Sequence, residues 1–266
     1  MKIEYIKNNE ISLIQSFQEE EWDDIKTYFQ FYINSPFCHP LKLINNGKII
    51  AIGSIIIHEN VAWLSHIITL VNFREKGFGT IMMKKLIEIA KENNCSTIYL
   101  IATDLGKRLY ERLGFMEETH YIFFKKKDTA NQSKISKNIV LCENSFKNQI
   151  FKLDNEISSE NRKKHLGVFL NNSYVFCKEK LIEGFYAPSF GEGLILAKNF
   201  KAGSELLKVH MNNKNKVVLP ENNIYTIKFL KNNGFYHYLT ATRMRLGLKR
   251  PVQYEKIFNR IRGDLG

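Results

Sequence analysis

One stretch constrains this chain more than any other. An apolar run, Ala62 to Leu70 (AWLSHIITL), passes through Phe73-Arg74-Glu75-Lys76-Gly77-Phe78-Gly79-Thr80 into a periodic segment reaching about Lys91. Apolar residues at Phe78, Ile81, Met82, Leu86, Ile89 and Ala90, with Lys84, Lys85, Glu88 and Lys91 between them, predict an amphipathic helix. The unit is therefore strand, glycine turn, helix. Two glycines let the backbone approach a ligand closely, and the first N–H groups of a helix lack intrahelical partners. Those groups and the positive end of the helix dipole favour a phosphate. Arg74 and Lys76 add full charge. Alone, the same residues also fit an ordinary glycine-containing strand–helix turn.

The rest of the chain narrows the choice. With 266 residues it holds one large domain or two of roughly 130. Hydrophobic residues at 44% and charged residues at 25% are those of a folded globular protein. A net charge of +12 raises the question of nucleic acid, but the lysines are scattered rather than gathered on one helical face. A coenzyme with several phosphates is equally served by a basic surface. Cys38, Cys95, Cys142 and Cys177 form no CxxC pair, so neither a disulfide framework nor a metal site is suggested. MKIEYIKNNE has no apolar signal core, and the longest apolar stretch, Ile49 to Ile57, is too short to span a bilayer. The expectation is a soluble, cytoplasmic protein with no membrane partner.

Strands are expected at 2–6, 41–45, 48–57, 61–70, 97–102 and 115–125, with Asn46-Gly47 a strong hairpin turn. Helices are expected over 11–31, with a polar break at Glu19-Glu20-Glu21, then from 77 to about 91 and over 104–113. Residues 125–138 (KKKDTANQSKISKN) have a linker's composition. Beyond them the order partly repeats. Helices are expected at 146–156, 160–170, 202–211 and 223–232, and strands at 174–178, 181–186, 193–197, 216–219 and 235–244.

The repeat reaches individual residues. Leu109-Tyr110-x-x-x-Gly114-Phe115 aligns with Phe229-Leu230-x-x-x-Gly234-Phe235. A helix-ending glycine followed by a strand phenylalanine explains both copies. The second half differs where chemistry is expected: Ala197-Lys198-Asn199-Phe200-Lys201 stands where the first half has its glycine loop, and Leu230 replaces Tyr110.

The strand–REKGFGT–helix unit, the LYERLGF segment and the element order together resemble the GNAT superfamily of acyl-coenzyme A N-acyltransferases. Residues 138–266 resemble the degenerate second GNAT domain of YitH-like tandem acetyltransferases, through Leu153-Asp154…Arg162, the PENN stretch at 220–223, Gly234-Phe235, Thr242-Arg243-Met244 and Asp264-Leu265-Gly266. The resemblance implies an α/β tandem GNAT fold with mixed sheet flanked by helices. It implies a catalytic domain over 1–127, a linker at 128–137, and a degenerate domain over 138–266 that shapes the acceptor site.

It further implies acetyl-CoA as cofactor, transferred directly to a primary amine of a small molecule or a protein. Coenzyme contacts fall by resemblance on Thr69, Leu70 and Val71, on Arg74, Glu75, Lys76, Gly77, Phe78, Gly79 and Thr80, and on Thr103. The family usually has proline at the place of Val71 and glycine at that of Glu75. Tyr110 matches the tyrosine that protonates the leaving thiolate, a role suited to an O–H donor in a dry site; a packed helix aromatic is the other reading.

A general base is not evident. His66 lies three residues before Thr69. Strand alternation puts Trp63, Ser65 and Ile67, not His66, on the face where family bases sit, which suggests a core histidine with a partner. Ser65, His66, Glu20 and Glu21 remain acceptor-side candidates, with Asp23 and Asp24 nearby in sequence. Asp154 and Arg162, eight apart, either pair structurally or line an acceptor pocket. The rival functions are a non-enzymatic acyl-CoA-binding or regulatory module and, further off, a nucleic-acid-binding protein.

Overall fold

The computed structural model describes residues 1–19, 23–127 and 134–266, with the backbone alone for Asp104 and Leu105. Along the chain run β1 (Lys2–Tyr5), α1 (Ile11–Ile14), α2 (Ile25–Asn34), β2 (Cys38–Asn45), β3 (Lys48–His58), β4 (Val61–Thr69), α3 (Phe78–Glu92), β5 (Thr97–Ala102), α4 (Asp104–Arg112) and β6 (Met116–Lys125). There follow β7 (Ile139–Leu141), α5 (Lys147–Ser158), α6 (Lys163–Val168), β8 (Tyr174–Lys178), β9 (Leu181–Ala187), β10 (Leu194–Ala197), α7 (Phe200–Met211), β11 (Lys216–Pro220), α8 (Ile224–Asn232), β12 (Tyr236–Gly247) and β13 (Ile257–Asn259). The sequence foresees most of these; β7 and β13 are additions. Residues 128–133 of the expected linker, with Glu20, Glu21 and Trp22, lie outside the described residues.

Two compact units form, and they are not consecutive blocks of chain. Unit 1 comprises Met1–Leu100, Leu109–Phe115 and Arg245–Leu248; unit 2 comprises Ile101–Arg108, Met116–Met244 and Lys249–Gly266. In unit 1 the strands run β1-β2-β3-β4-β5, followed by the end of β12. The Leu248 N–H donates to the Ser96 carbonyl (2.9 Å), and the Thr97 hydroxyl donates to the Leu248 carbonyl (2.9 Å). Asn46 and Gly47 both take positive φ (48° and 74°), as a tight two-residue hairpin between β2 and β3 requires.

The stripe of α3 buries Met82, Met83, Leu86, Ile87, Ile89 and Ala90. Gly53 of β3 makes the close approach possible: a Cβ there would stand 3.0 Å from Met82 Cγ and 3.1 Å from Leu86 Cδ1. In unit 2 the rest of β12 neighbours β6, and β6 neighbours β11 with Lys125 opposite Lys216 and Tyr121 opposite Pro220. A second sheet runs β13-β10-β9-β8-β7. The core of unit 2 gathers Phe124, Phe176, Tyr186, Ala197, Ala202, Leu206, Leu230, Phe235 and Phe258, all buried.

Candidate active site

β4 is not a regular strand. Ser65 pairs with Ser54 and Ile68 with Ile52, so His66 and Ile67 together face the single residue Gly53. This is a β-bulge, and His66 occupies it with φ +48°. Simple side-chain alternation, which the sequence alone leads one to expect along this strand, therefore breaks at His66. The imidazole lies against α2, with ring centroids 4.8 Å from Tyr28, 5.9 Å from Phe29 and 5.7 Å from Tyr32. Its Nδ1 is 3.0 Å from the Tyr32 hydroxyl. His66 is half-buried and does have a partner. Ser65 is buried at 4% exposure, and its hydroxyl, like that of Ser54 opposite, has no hydrogen-bond partner among the described residues.

β4 and β5 run parallel and pair only over Val61–Trp63 with Thr97–Tyr99. β4 then continues to Thr69 beside β3, with Ile68 opposite Ile52 and Thr69 opposite Ala51. Past the strand end the backbone is already partly engaged: the Leu70 N–H donates to the Ile50 carbonyl (3.0 Å) and the Arg74 N–H to the Val71 carbonyl (3.1 Å). Val71 is exposed. Arg74 folds back, its Nε donating to the Thr69 carbonyl (3.0 Å) and its Nη2 to Glu19 (2.8 Å). Arg74 thus staples the loop to the strand it leaves. Lys76 Nζ binds the Asn72 carbonyl (3.0 Å) and sits 5.6 Å from the Phe73 ring centre.

Glu75 takes φ +62° and Gly77 +82°, and α3 starts at Phe78 with Gly77 as its left-handed cap residue. No side chain caps this helix. The Ile81 N–H, bonded to the Gly77 carbonyl at 3.1 Å, is the first donor of the helical ladder. The N–H groups of Gly77, Phe78, Gly79 and Thr80 thus precede the ladder, at the positive end of the helix. A Cβ on Gly77 would meet nothing within 4 Å, so the turn faces open space.

The second half has the same helix start with the opposite arrangement. Asn199 is the cap residue of α7, and its side chain accepts from the Ala202 N–H. Counted from the cap, Ala202 stands where Thr80 stands in the first half.

Tyr110 lies on the unit 1 end of α4, its ring centre 6.1 Å from that of Phe115. Burial pushes its phenol up to about 12, so it holds its proton at neutral pH. Thr103 is exposed, and its carbonyl accepts from the Gly106 and Lys107 N–H groups at the start of α4. Asp154 and Arg162 grip each other: Arg162 Nε lies 3.0 Å from both carboxylate oxygens and Nη2 2.8 Å from one, with 2% and 4% exposure. A second polar group, partly buried and not singled out as a cluster from the sequence, joins Glu118, Arg243 and Tyr254. The Tyr254 hydroxyl donates to Glu118 (2.6 Å), and the Arg243 guanidinium lies 5.4 Å from the Tyr254 ring centre.

Comparison with known proteins agrees with this anatomy. Residues 7–115 match the profile of the acetyltransferase (GNAT) family. A 69-residue stretch is 35% identical to the uncharacterized N-acetyltransferase CgeE of Bacillus subtilis, covering 24% of this chain and 27% of that protein. The chain thus matches about a quarter of that relative's length. A candidate acetyltransferase from Pyrococcus horikoshii superposes over 100% of this chain and 95% of its own, with TM-score 0.83 and 18% identity. A tandem GNAT protein from the clavulanic acid biosynthesis pathway superposes over 94% and 99%, with TM-score 0.62 and 10% identity. The fold is that of the tandem GNAT proteins. Among the described residues no helix is long and apolar enough to cross a membrane.

Proposed function

We propose that the chain is an acyltransferase that moves the acetyl group of acetyl-CoA to a primary amine by direct attack, with no covalent acyl-enzyme. The observation that carries this reading is the uncapped start of α3, where Gly77 turns left-handed into open space and four N–H groups precede the ladder. That cradle suits a pyrophosphate, and Lys76 adds charge beside it. Acetyl-CoA would supply an activated thioester there.

The chain's own part is to bind, orient and hold protons. The Gly77–Thr80 N–H groups would hold the phosphates. Arg74 keeps the loop in shape through Thr69 and Glu19. The ends of β4 at Thr69, Leu70 and Val71 would line the arm, and Tyr110 keeps its proton on Oη as a donor. Ser65 and His66, at the bulge, are the acceptor-side residues of this reading. In this reading segment 138–266 would be a degenerate, YitH-like domain that shapes the acceptor site.

Calorimetric titration with coenzyme A, followed by thiol release from acetyl-CoA over a panel of amines, tests this. Wild type should bind and turn over. Gly77→Asp, which sets a carboxylate in the cradle, should abolish binding. Unchanged affinity in that variant refutes the site. Binding without amine-dependent thiol release favours the non-enzymatic acyl-CoA-binding module.

A further inference from the structure

In unit 1, β4 parts from β5 after three paired residues. By the order of the repeat, the corresponding strands of the second half are β10 and β11. They are not left open. β13 lies against β10, with Ile195 opposite Asn259 and Leu196 opposite Ile257. The next residue reaches the other strand, the Arg260 N–H donating to the Val218 carbonyl (2.8 Å).

Asn259 ties both sides together. Its Oδ1 accepts from the Val218 N–H (2.8 Å) and its Nδ2 donates to the Gly193 carbonyl (2.7 Å), with 1% of the residue exposed. Phe258 points to the first turn of α7. A Cβ on Gly203 would stand 2.1 Å from Phe258 Cζ, so the ring lies flush on the helix backbone. Glycine inside a helix is otherwise disfavoured; here it makes room for the ring. The same cluster holds Leu230, the counterpart of Tyr110. Arg260, at 3% exposure, lies over the rings of Phe123 (4.6 Å) and Tyr121 (5.5 Å) and 3.6 Å from Glu192.

We propose that residues 257–260 are a resident internal ligand of the second half: an extended, amide-bearing segment filling the cleft between β10 and β11 whose first-half counterpart takes the coenzyme arm. The proposal rests on the reading of the first-half cleft given above. The chemistry is shared by the two occupants, since a peptide and an amide-containing arm both lie extended between strands and bond through amide N–H and C=O. The proposal accounts for three features together: the capped start of α7, the loss of tyrosine at Leu230, and a helical glycine under a phenylalanine. It makes the stoichiometry one coenzyme per chain.

Three full-length variants test it: Gly203→Ala, Phe258→Ala and the pair together. Each single change should lower Tm, the first by forcing the ring off α7 and the second by leaving a cavity. The double variant should melt above Gly203→Ala alone, because the new methyl enters the space the ring has left. If Gly203→Ala does not fold, recovery of a cooperative melt in the double variant supports the proposal, and failure of both refutes it. Wild-type Tm in Gly203→Ala, or strictly additive losses, also overturns it. Calorimetry on wild type should give one site for coenzyme A; two sites overturn it. Coupled melts with no coenzyme binding at all would uphold the seated segment and refute the coenzyme reading of the first half.

Discussion

Replacing Tyr110 by phenylalanine removes one O–H and leaves the ring beside Phe115. The size of the effect follows from the phenol's environment. Burial holds its pKa at about 12. An ordinary thiol titrates near 8.5, so handing over the whole proton would run uphill by about 3.5 units, roughly 5 kcal/mol. In the proposed reaction Tyr110 would therefore serve as a hydrogen-bond donor to the departing thiolate rather than as the full source of its proton. Such a bond to a charged group is worth about 1.5–3 kcal/mol. At about 1.4 kcal/mol per decade, kcat should fall roughly 10- to 150-fold. Coenzyme affinity should hold, and Tm should move by only a few degrees. The assay is thiol release from acetyl-CoA, read with a chromogenic disulfide between about pH 6.5 and 9.5, a range in which a phenol near 12 stays protonated. Unchanged kcat would make Tyr110 a packing residue. A loss of about 10³- to 10⁴-fold, the upper part of the range for general acid catalysis, would mean full proton transfer. A basic-side decline present in wild type and absent in the variant would mean that the phenol ionises well below 12.

Three further outcomes are expected. Glu75→Gly should raise stability by about 0.5–1 kcal/mol, because Glu75 holds φ +62°; an unchanged or lower denaturation midpoint refutes the strain. His210 is buried and held neutral, its Nε2 donating to the Lys216 carbonyl (2.8 Å) and its Nδ1 accepting from the Tyr186 hydroxyl (3.1 Å), and burial lowers its pKa from 6.5 to about 4. The unfolded chain takes up that proton first, so this stability is complete above about pH 6.5 and is lost as pH falls to 4, by up to about 3 kcal/mol. Denaturant melts of wild type and His210→Asn at pH 7.5 and 5 should differ in slope, and equal slopes refute the neutral burial. Asp154→Ala should cost about 3–5 kcal/mol by leaving Arg162 charged and buried; a Tm near wild type would show the pair to be dispensable.

Local chemistry was readable wherever one face of one element decided the outcome. The stripe of α3, the Asn46-Gly47 turn and the apolar run of β5 each specify their own geometry, and each stands where the sequence puts it. The bulge at His66 was hidden because AWLSHIITL contains no glycine, proline or asparagine to mark a left-handed residue. β13 was hidden for a different reason. Three residues carry no periodicity, and Phe258 owes its position to Gly203, which reads in sequence as a mere weakness in a helix. The spacing of Asp154 and Arg162 left two readings, and burial with bidentate geometry describes a pair that holds itself. The end of β12 shows the limit of pattern. Arg245–Leu248 continue the strand expected over 235–244, yet nothing local says that they cluster with residues far upstream.

That piece, the last three residues of β12 together with Leu248, sets a clock on synthesis. Unit 1 has emerged through Phe115, apart from the four-residue piece Arg245–Leu248, long before that piece is made. At about 5–20 residues per second, the ribosome needs roughly 7–27 seconds to cover the intervening chain. Throughout that interval Ser96 and Thr97 lack the partners that Leu248 later supplies. The nascent chain therefore carries an exposed strand edge, the kind of surface that invites pairing with a neighbouring chain. Slow codons between Phe115 and Arg245 would lengthen the exposure, and a chaperone that covers strand edges would matter more for this protein than for one whose halves each close on themselves.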